Sequence, residues 1–427
     1  MGSHSTARPR WLRPVGFALF TVLAGTALAS CASNPDAATS ETAGAVEPAR
    51  LAESGCGSLP GEVPADPDGV LQTLPEQLQT AYQGFGEELQ ASAWAGGEPT
   101  PGPWKIGLSL LPDTNSVNHA YLTEFQKRFD EAKEAGLVEG DLIVNLMTEF
   151  NPAQQLQLYQ SLVDQGVDGI VIQAMSGPSM ASAVDAAGAA GIVTASFGAL
   201  PSVYSVSSQA SFYQDVGSAA AATLGQLPDG TGNVLIVNGL EGLDPQVKGR
   251  AAIDAALAEC PDVTVIGEVS AAFTDPTAKE AVQTFLASYP GQIDAVLQMG
   301  AMATGTISAF QQVGRDVPLV TMNGATAGAL SYWADNADTY SPAGTVGAYE
   351  HQADAVWDAL IRTLAGGEPK SNYLVLPSVL VTSANVGELV EEGTDYSSDA
   401  PPLPTIPYVT NEVFDEYFFA PETNPLG

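Results

Sequence analysis

From Lys105 onward, apolar runs of about four to six residues alternate with longer stretches whose apolar side chains recur at helical spacing. No other feature of the chain constrains its fold as much. The runs are 106–111, 142–147, 169–172, 192–195, 234–237, 263–266, 295–297 and 319–322. Between them, sets such as Tyr121, Leu122, Phe125, Phe129 and Ala132, or Leu156, Leu158, Tyr159 and Leu162, mark single helix faces. Short strands separated by helices imply parallel pairing, because a tight turn cannot join parallel neighbours and a helix must cross back. The fold class is therefore α/β. About four units precede Tyr204 and about four follow Gly232, and the Ser-, Pro- and Gly-rich stretch 196–212 reads as a crossing between two sheets. The expectation is two doubly wound Rossmann-like lobes with a hinge and an interlobe cleft, lined by the loops that follow strand C-termini.

The flanks read differently. Arg8, Arg10 and Arg13 precede an apolar run, 15–29, that is short for a membrane span but suits a signal peptide. It ends in Leu28-Ala29-Ser30-Cys31, which resembles the lipobox of bacterial lipoproteins, so residues 1–30 are read as a lipoprotein signal peptide and Cys31 as the lipidation site. Residues 31–67 are rich in Ala, Ser, Glu, Pro, Asp and Gly without periodicity and are expected to form a flexible acidic tether. Leu71, Leu74, Leu78, Tyr82, Phe85 and Leu89 then predict a helix within an N-terminal extension, 68–102. At the other end, residues 386–427 carry the aromatic run Val413-Phe414-Asp415-Glu416-Tyr417-Phe418-Phe419, which is expected to pack on the body.

Composition excludes several functions. With 49 acidic against 14 basic side chains the net charge is −35, and losing the three leader arginines leaves 49 against 11. No nucleic-acid partner is expected, because phosphate binding needs clustered cations. Cys31, Cys56, Cys260, His4, His119 and His351 show no metal-ligand spacing, so neither metal nor cofactor is expected. Cys56 and Cys260 admit both a disulfide and two free thiols. The chain has no G-x-S-x-G elbow, no phosphate-binding G-x-x-x-x-G-K-[ST] loop and no H-E-x-x-H helix, so no catalytic residues are assigned.

Several segments together resemble the periplasmic sugar-binding proteins of the ribose-binding type. Pro103-Trp104-Lys105-Ile106-Gly107 followed by Asn115 is similar to that family's first strand and helix, and Gln165-Gly166-Val167-Asp168-Gly169-Ile170-Val171-Ile172 to its third strand. Gly191-Ile192 resembles the start of the fourth strand, and 234–253 can be laid on the fifth unit, with Gly239 and Gly242 matching its glycines. Met302, Ala303, Gly305, 320–324, Thr345-Val346 and 374–382 with Asn385 continue the likeness, which covers roughly 103–385. The resemblance implies the type I periplasmic binding protein fold, with lobe 1 formed by 103–207 plus about 348–372 and lobe 2 by 208–347 plus about 373–385. It also implies a monomeric solute-binding lipoprotein of an ABC importer, held outside the bacterial cell membrane by its lipid, that closes on a small ligand and presents it to a permease.

The charged groups with which that family grips sugars are mostly absent from the matching places. Gly198-Ala199, Gly249, Met299-Gly300 and Asn323 stand where the family carries Asp-Arg, Arg, Asn-Asp and Asp. The candidate ligand-binding residues are therefore Asn115, Asn118, Gln173, Phe197, Gln209, Lys248, Gln298, Asn323 and Tyr349, a largely neutral, amide-rich set suited to a small neutral polar ligand such as a sugar or polyol. Some have a second reading. Asn115 fits a helix cap as well as a pocket, Asn323 before Gly324 fits a turn, and Gln173 and Gln298 fit bonds within their own loops. Phe197 fits core packing, and Lys248 with Arg250 fits a solvated helix face. Two other functions remain in view, a ligand-sensing receptor component that signals to a membrane partner and a surface-tethered hydrolase.

Overall fold

The computed structural model describes residues 55–113, 116–346, 349–377, 379–398, 400 and 410–425. Residues 1–54, with the expected signal peptide, the expected lipidation site Cys31 and most of the expected tether, lie outside the described residues. After a short helix α1 (Glu76–Gln79), the chain runs through β1 (Ile106–Leu110), α2 (Ser116–Glu134), β2 (Ile143–Leu146), α3 (Pro152–Asp164), β3 (Gly169–Gln173), α4 (Gly177–Ala189), β4 (Val193–Phe197) and β5 (Ser205–Ala210). Next come α5 (Phe212–Leu224), β6 (Gly232–Asn238), α6 (Asp244–Ala258), β7 (Val263–Ser270), α7 (Asp275–Ser288), β8 (Ala295–Gln298), α8 (Ala303–Gln312), β9 (Leu319–Val320) and α9 (Ala327–Asp335). The last elements are β10 (Gly344–Val346), α10 (Tyr349–Leu364), β11 (Tyr373–Leu376), β12 (Val379–Val381) and α11 (Asn411–Asp415).

Two parallel sheets result. The first has the order β2-β1-β3-β4-β5-β11 and the second β7-β6-β8-β9, while β10 and β12 form an antiparallel pair. Each parallel sheet reverses its strand order beside its first strand, so a crevice opens at the C-terminal ends of β1 and β3 and of β6 and β8. Helices start cleanly behind those ends. The Asn151 side chain accepts from the Ala153 and Gln154 amides with Pro152 in the first turn, and Ser211, Thr274 and Thr326 cap α5, α7 and α9 in the same manner.

Three assignments made from the sequence need correction. The stretch 196–212 is not only a crossing, because β5 lies in it and pairs with β4 and β11. Its serines hide it from a hydropathy reading, yet all six residues are buried, since Ser207 Oγ meets Ser196 Oγ at 2.7 Å and Ser205 Oγ donates to the Leu200 carbonyl at 3.0 Å. Residues 373–376 belong to the first sheet rather than to lobe 2, because β11 pairs in register with β5 from Tyr373 opposite Ser207 to Leu376 opposite Ala210. The chain thus leaves the first sheet after Ala210 and again after Leu376, and returns to it through α10, which packs over β3, β4 and β5. The third correction concerns the N-terminal extension. Its six periodic side chains are all buried, but the backbone is two 3-10 turns around α1. Leu74 is extended ahead of Pro75, and Gly84 and Gly86 have φ of 70° and 80°, which ends any helix before Phe85.

The expected tether also joins the body before residue 67. Cys56 forms a disulfide with Cys260, and Leu59 packs on the second core beside Gly217. At the other end Phe414, Tyr417 and Phe418 are buried in the first core, and the Tyr417 hydroxyl donates to the Val375 carbonyl at 2.5 Å. Arg362 is almost fully buried. It pairs with Asp415 and lies over the rings of Phe414 and Phe418 at 5.1 and 5.6 Å.

Candidate functional site

The loops after the strands of both sheets enclose a cavity of about 300 Å³, at the small end of the range for ligand sites. Its first-lobe wall begins at the N-terminus of α2. Asn118 donates through Nδ2 to the Pro112 carbonyl at 2.7 Å and accepts from Gln173 Nε2 at 3.1 Å, while Gln173 Oε1 accepts from the Leu111 amide at 3.2 Å. Both amides line the cavity and both also tie the loops after β1 and β3 together. Phe197, at the end of β4, is buried against Tyr121 at 4.5 Å and Phe125 at 5.8 Å and still forms part of the wall. Gln209 lines the wall from β5, and its Oε1 is buried with no hydrogen-bond partner among the described residues.

The second-lobe wall is built from loops with unusual backbone. Ala272 and Phe273 after β7 and Ala301 after β8 have φ of 52°, 58° and 54°, and all three line the cavity. Left-handed conformations of this kind cost on the order of 1–3 kcal/mol and gather at ligand sites. The Phe273 ring sits over Gly239, where a Cβ would come within 2.1 Å of it, so a side chain at 239 would force the ring to shift. Asn323 follows β9 and is 2% exposed, and its Oδ1 is also buried without a partner among the described residues. Gln298 does not line the cavity. It is fully buried, donating through Nε2 to the Thr321 and Asn323 carbonyls at 2.7 and 3.3 Å and accepting from the Gly300 amide at 2.7 Å. It holds the loop that carries Asn323, a scaffolding role in place of the ligand contact expected from the sequence.

Of the two cations on α6, Arg250 faces outward to Asp254 and Glu268, whereas Lys248 lines the cavity with its Nζ 2.8 Å from Glu87. His119 is exposed beside Asp113. Asn115 lies outside the described residues, and so does the side chain of Tyr349, which opens α10. Sequence reasoning missed two carboxylates, Asp215 in the first turn of α5 and Asp244 at the start of α6, and the rings of Phe150, Phe212 and Phe273. The Asp244-Pro245 pair opening a helix four residues ahead of Lys248 was the available signal, and nothing in the sequence pointed to the rings. Burial pushes the Asp244 carboxyl above its usual range, the nearby Lys248 ammonium opposes the rise, and Glu87 adds to it. The cavity therefore combines neutral amides with acidic acceptors and aromatic faces, and among the described residues that line it Lys248 is the one cation.

A model of the periplasmic binding protein domain matches residues 113–368, well over half of the chain. The chain belongs to that family. This periplasmic binding protein is 28% identical over 295 residues to a protein named xylitol-binding protein from Mycolicibacterium smegmatis, a match spanning 67% of this chain and 79% of the relative. In the solved structures, a solute-binding protein of an ABC transporter from Thermobispora bispora shares the fold with a TM-score of 0.63 at 24% identity, over 75% of this chain and 96% of that one. Another from Mycobacterium smegmatis, solved with bound glycerol, has a TM-score of 0.57 at 22% identity, over 70% of this chain and all of the other. The two-lobed α/β architecture read from the sequence is the type I fold of these periplasmic binding proteins.

Proposed function

We propose that this periplasmic binding protein is the solute-binding component of an ABC importer and that it captures a polyol, or a closely related neutral hydroxyl-rich solute, between its lobes. One observation carries the reading. Gln209 from the first lobe and Asn323 from the second both line the cavity, and each holds a buried oxygen with no donor among the described residues. An unmet buried acceptor costs about 1–3 kcal/mol, which a ligand hydroxyl recovers by donating to it. Asp215 and Asp244 add acceptors, and Lys248 adds a donor, so the wall complements a group that both gives and takes hydrogen bonds. The cavity has room for a small solute, and the rings of Phe197 and Phe273 suit the C–H faces of a carbon chain. The likeness to proteins named for xylitol and solved with glycerol points to the same chemistry.

Engulfment by residues of two lobes requires hinge motion, with ligand shifting the population toward the closed form that a permease would recognise. The lipid anchor belongs to this proposal. Its support is the basic flank, the apolar run and Leu28-Ala29-Ser30-Cys31, and acyl burial contributes about 0.8 kcal/mol per methylene to membrane attachment. Radiolabelled xylitol uptake in cells with and without the gene is the test. Loss of uptake on deletion, restored by the wild-type chain, is expected, and unchanged uptake of xylitol, myo-inositol and glycerol would sink the importer assignment for that class. For the anchor, a metabolically supplied fatty-acid label enters the wild type but not Cys31→Ser, and equal labelling of both disproves lipidation at Cys31.

A further inference from the structure

Glu87 lies outside the segment that matches the family, on an N-terminal extension bound to both lobes. On either side of it Phe85 and Leu89 are buried in the first core, Phe85 packs on Tyr373 at 5.2 Å, and the Tyr82 hydroxyl donates to the Tyr373 carbonyl at 2.7 Å. On the second lobe the chain just ahead of the extension is fixed by the Cys56–Cys260 disulfide, and Gln214 Nε2 donates to the Gln83 carbonyl of the extension at 2.6 Å. Glu87 is therefore carried on a docked segment, and its carboxylate reaches Lys248 at 2.8 Å. The ammonium also sits 5.6 Å from the centre of the Phe85 ring. Four residues before Lys248 on the same helix stands Asp244, the spacing at which Asp and Lys ordinarily pair.

We propose that Glu87 is a positioning residue of the binding site, drawing the Lys248 ammonium away from Asp244 so that the lysine donates to one solute hydroxyl while the Asp244 carboxylate accepts from another. The inference rests on the polyol reading of the cavity. An ammonium carries three N–H groups, and Glu87 engages one. Without Glu87, Lys248 folds back onto Asp244 and both groups are spent on each other.

Calorimetric titration of xylitol, with myo-inositol and glycerol as alternates, into wild type, Glu87→Gln, Lys248→Met and the double variant tests this. Glu87→Gln and Lys248→Met each weaken binding about tenfold, as expected for one charge-assisted hydrogen bond. The double variant is no weaker than Lys248→Met, and unliganded melting temperatures stay close together because the pair is partly exposed. Wild-type binding with no loss in Glu87→Gln overturns the inference alone. So does an equal fold-loss from Glu87→Gln in the wild-type and Lys248→Met backgrounds, which is the mark of a merely structural effect. A wild type that binds none of the three overturns the solute class and the inference with it.

Discussion

Gln298→Ala removes the amide that bridges the ends of β8 and β9, leaving the Gly300 N–H and two carbonyls without their partner. Stability falls by about 1–3 kcal/mol, visible in a urea melt. Asn323→Ala, two residues beyond Thr321, acts on binding instead. Its Oδ1 has no partner to lose among the described residues, so xylitol affinity drops about tenfold in a titration while the unliganded melt moves little. Asp244 supplies a pH prediction. Its folded pKa is raised above the ordinary 3.8, so its contribution to stability is present below that value and is lost as pH rises through the raised one. Asp244→Asn therefore raises the unliganded melting temperature at pH 7, and the gain shrinks toward pH 4; a variant less stable at pH 7 contradicts the assignment. Asn118, Gln173 and Asn323 line the cavity where the sequence put them, because each follows or ends a strand that an apolar run or the family likeness had already located. Asp215 and Asp244 were not foreseen, since any one acid is uninformative among 49.

At the level of elements, strands rich in Val, Ile and Leu could be read directly, and β1 to β4 and β6 to β9 fall on the apolar runs. The strand β5 could not, because its burial rests on paired serine hydroxyls rather than on apolar side chains. The N-terminal extension shows the converse, a helical periodicity that reports which side chains are buried while Pro75, Gly84 and Gly86 keep the backbone from a continuous helix. Both ends of the body are fastened. Replacing Cys56 and Cys260 together by Ser costs about 2–4 kcal/mol in a denaturant melt, because the link closes a long loop in the unfolded chain. Asp415→Ala strands the buried Arg362 charge, and a loss of about 3 kcal/mol is expected. If Asp415→Ala melts like the wild type, α11 is not held through that pair.

For the whole molecule, the order of strands and helices sufficed to foresee two parallel sheets and a cavity at their C-terminal ends. The positions of the crossings did not follow from it, because β5 and β11 pair across more than 160 residues of sequence. Such pairing depends on both strands fitting one sheet edge and leaves no local mark. The proposed site, divided between Gln209, Asn118 and Gln173 on one side and Asn323, Asp215, Lys248 and Phe273 on the other, belongs to neither lobe alone. The proposed site requires one ligand per chain, with an affinity that depends on residues from both walls. Calorimetric titration of xylitol into the wild type, Gln209→Ala and Asn323→Ala measures this directly. The account predicts one xylitol per chain, with affinity reduced about tenfold in each variant. Absence of binding by the wild type to xylitol, myo-inositol and glycerol at millimolar concentration, or binding that neither substitution alters, contradicts it.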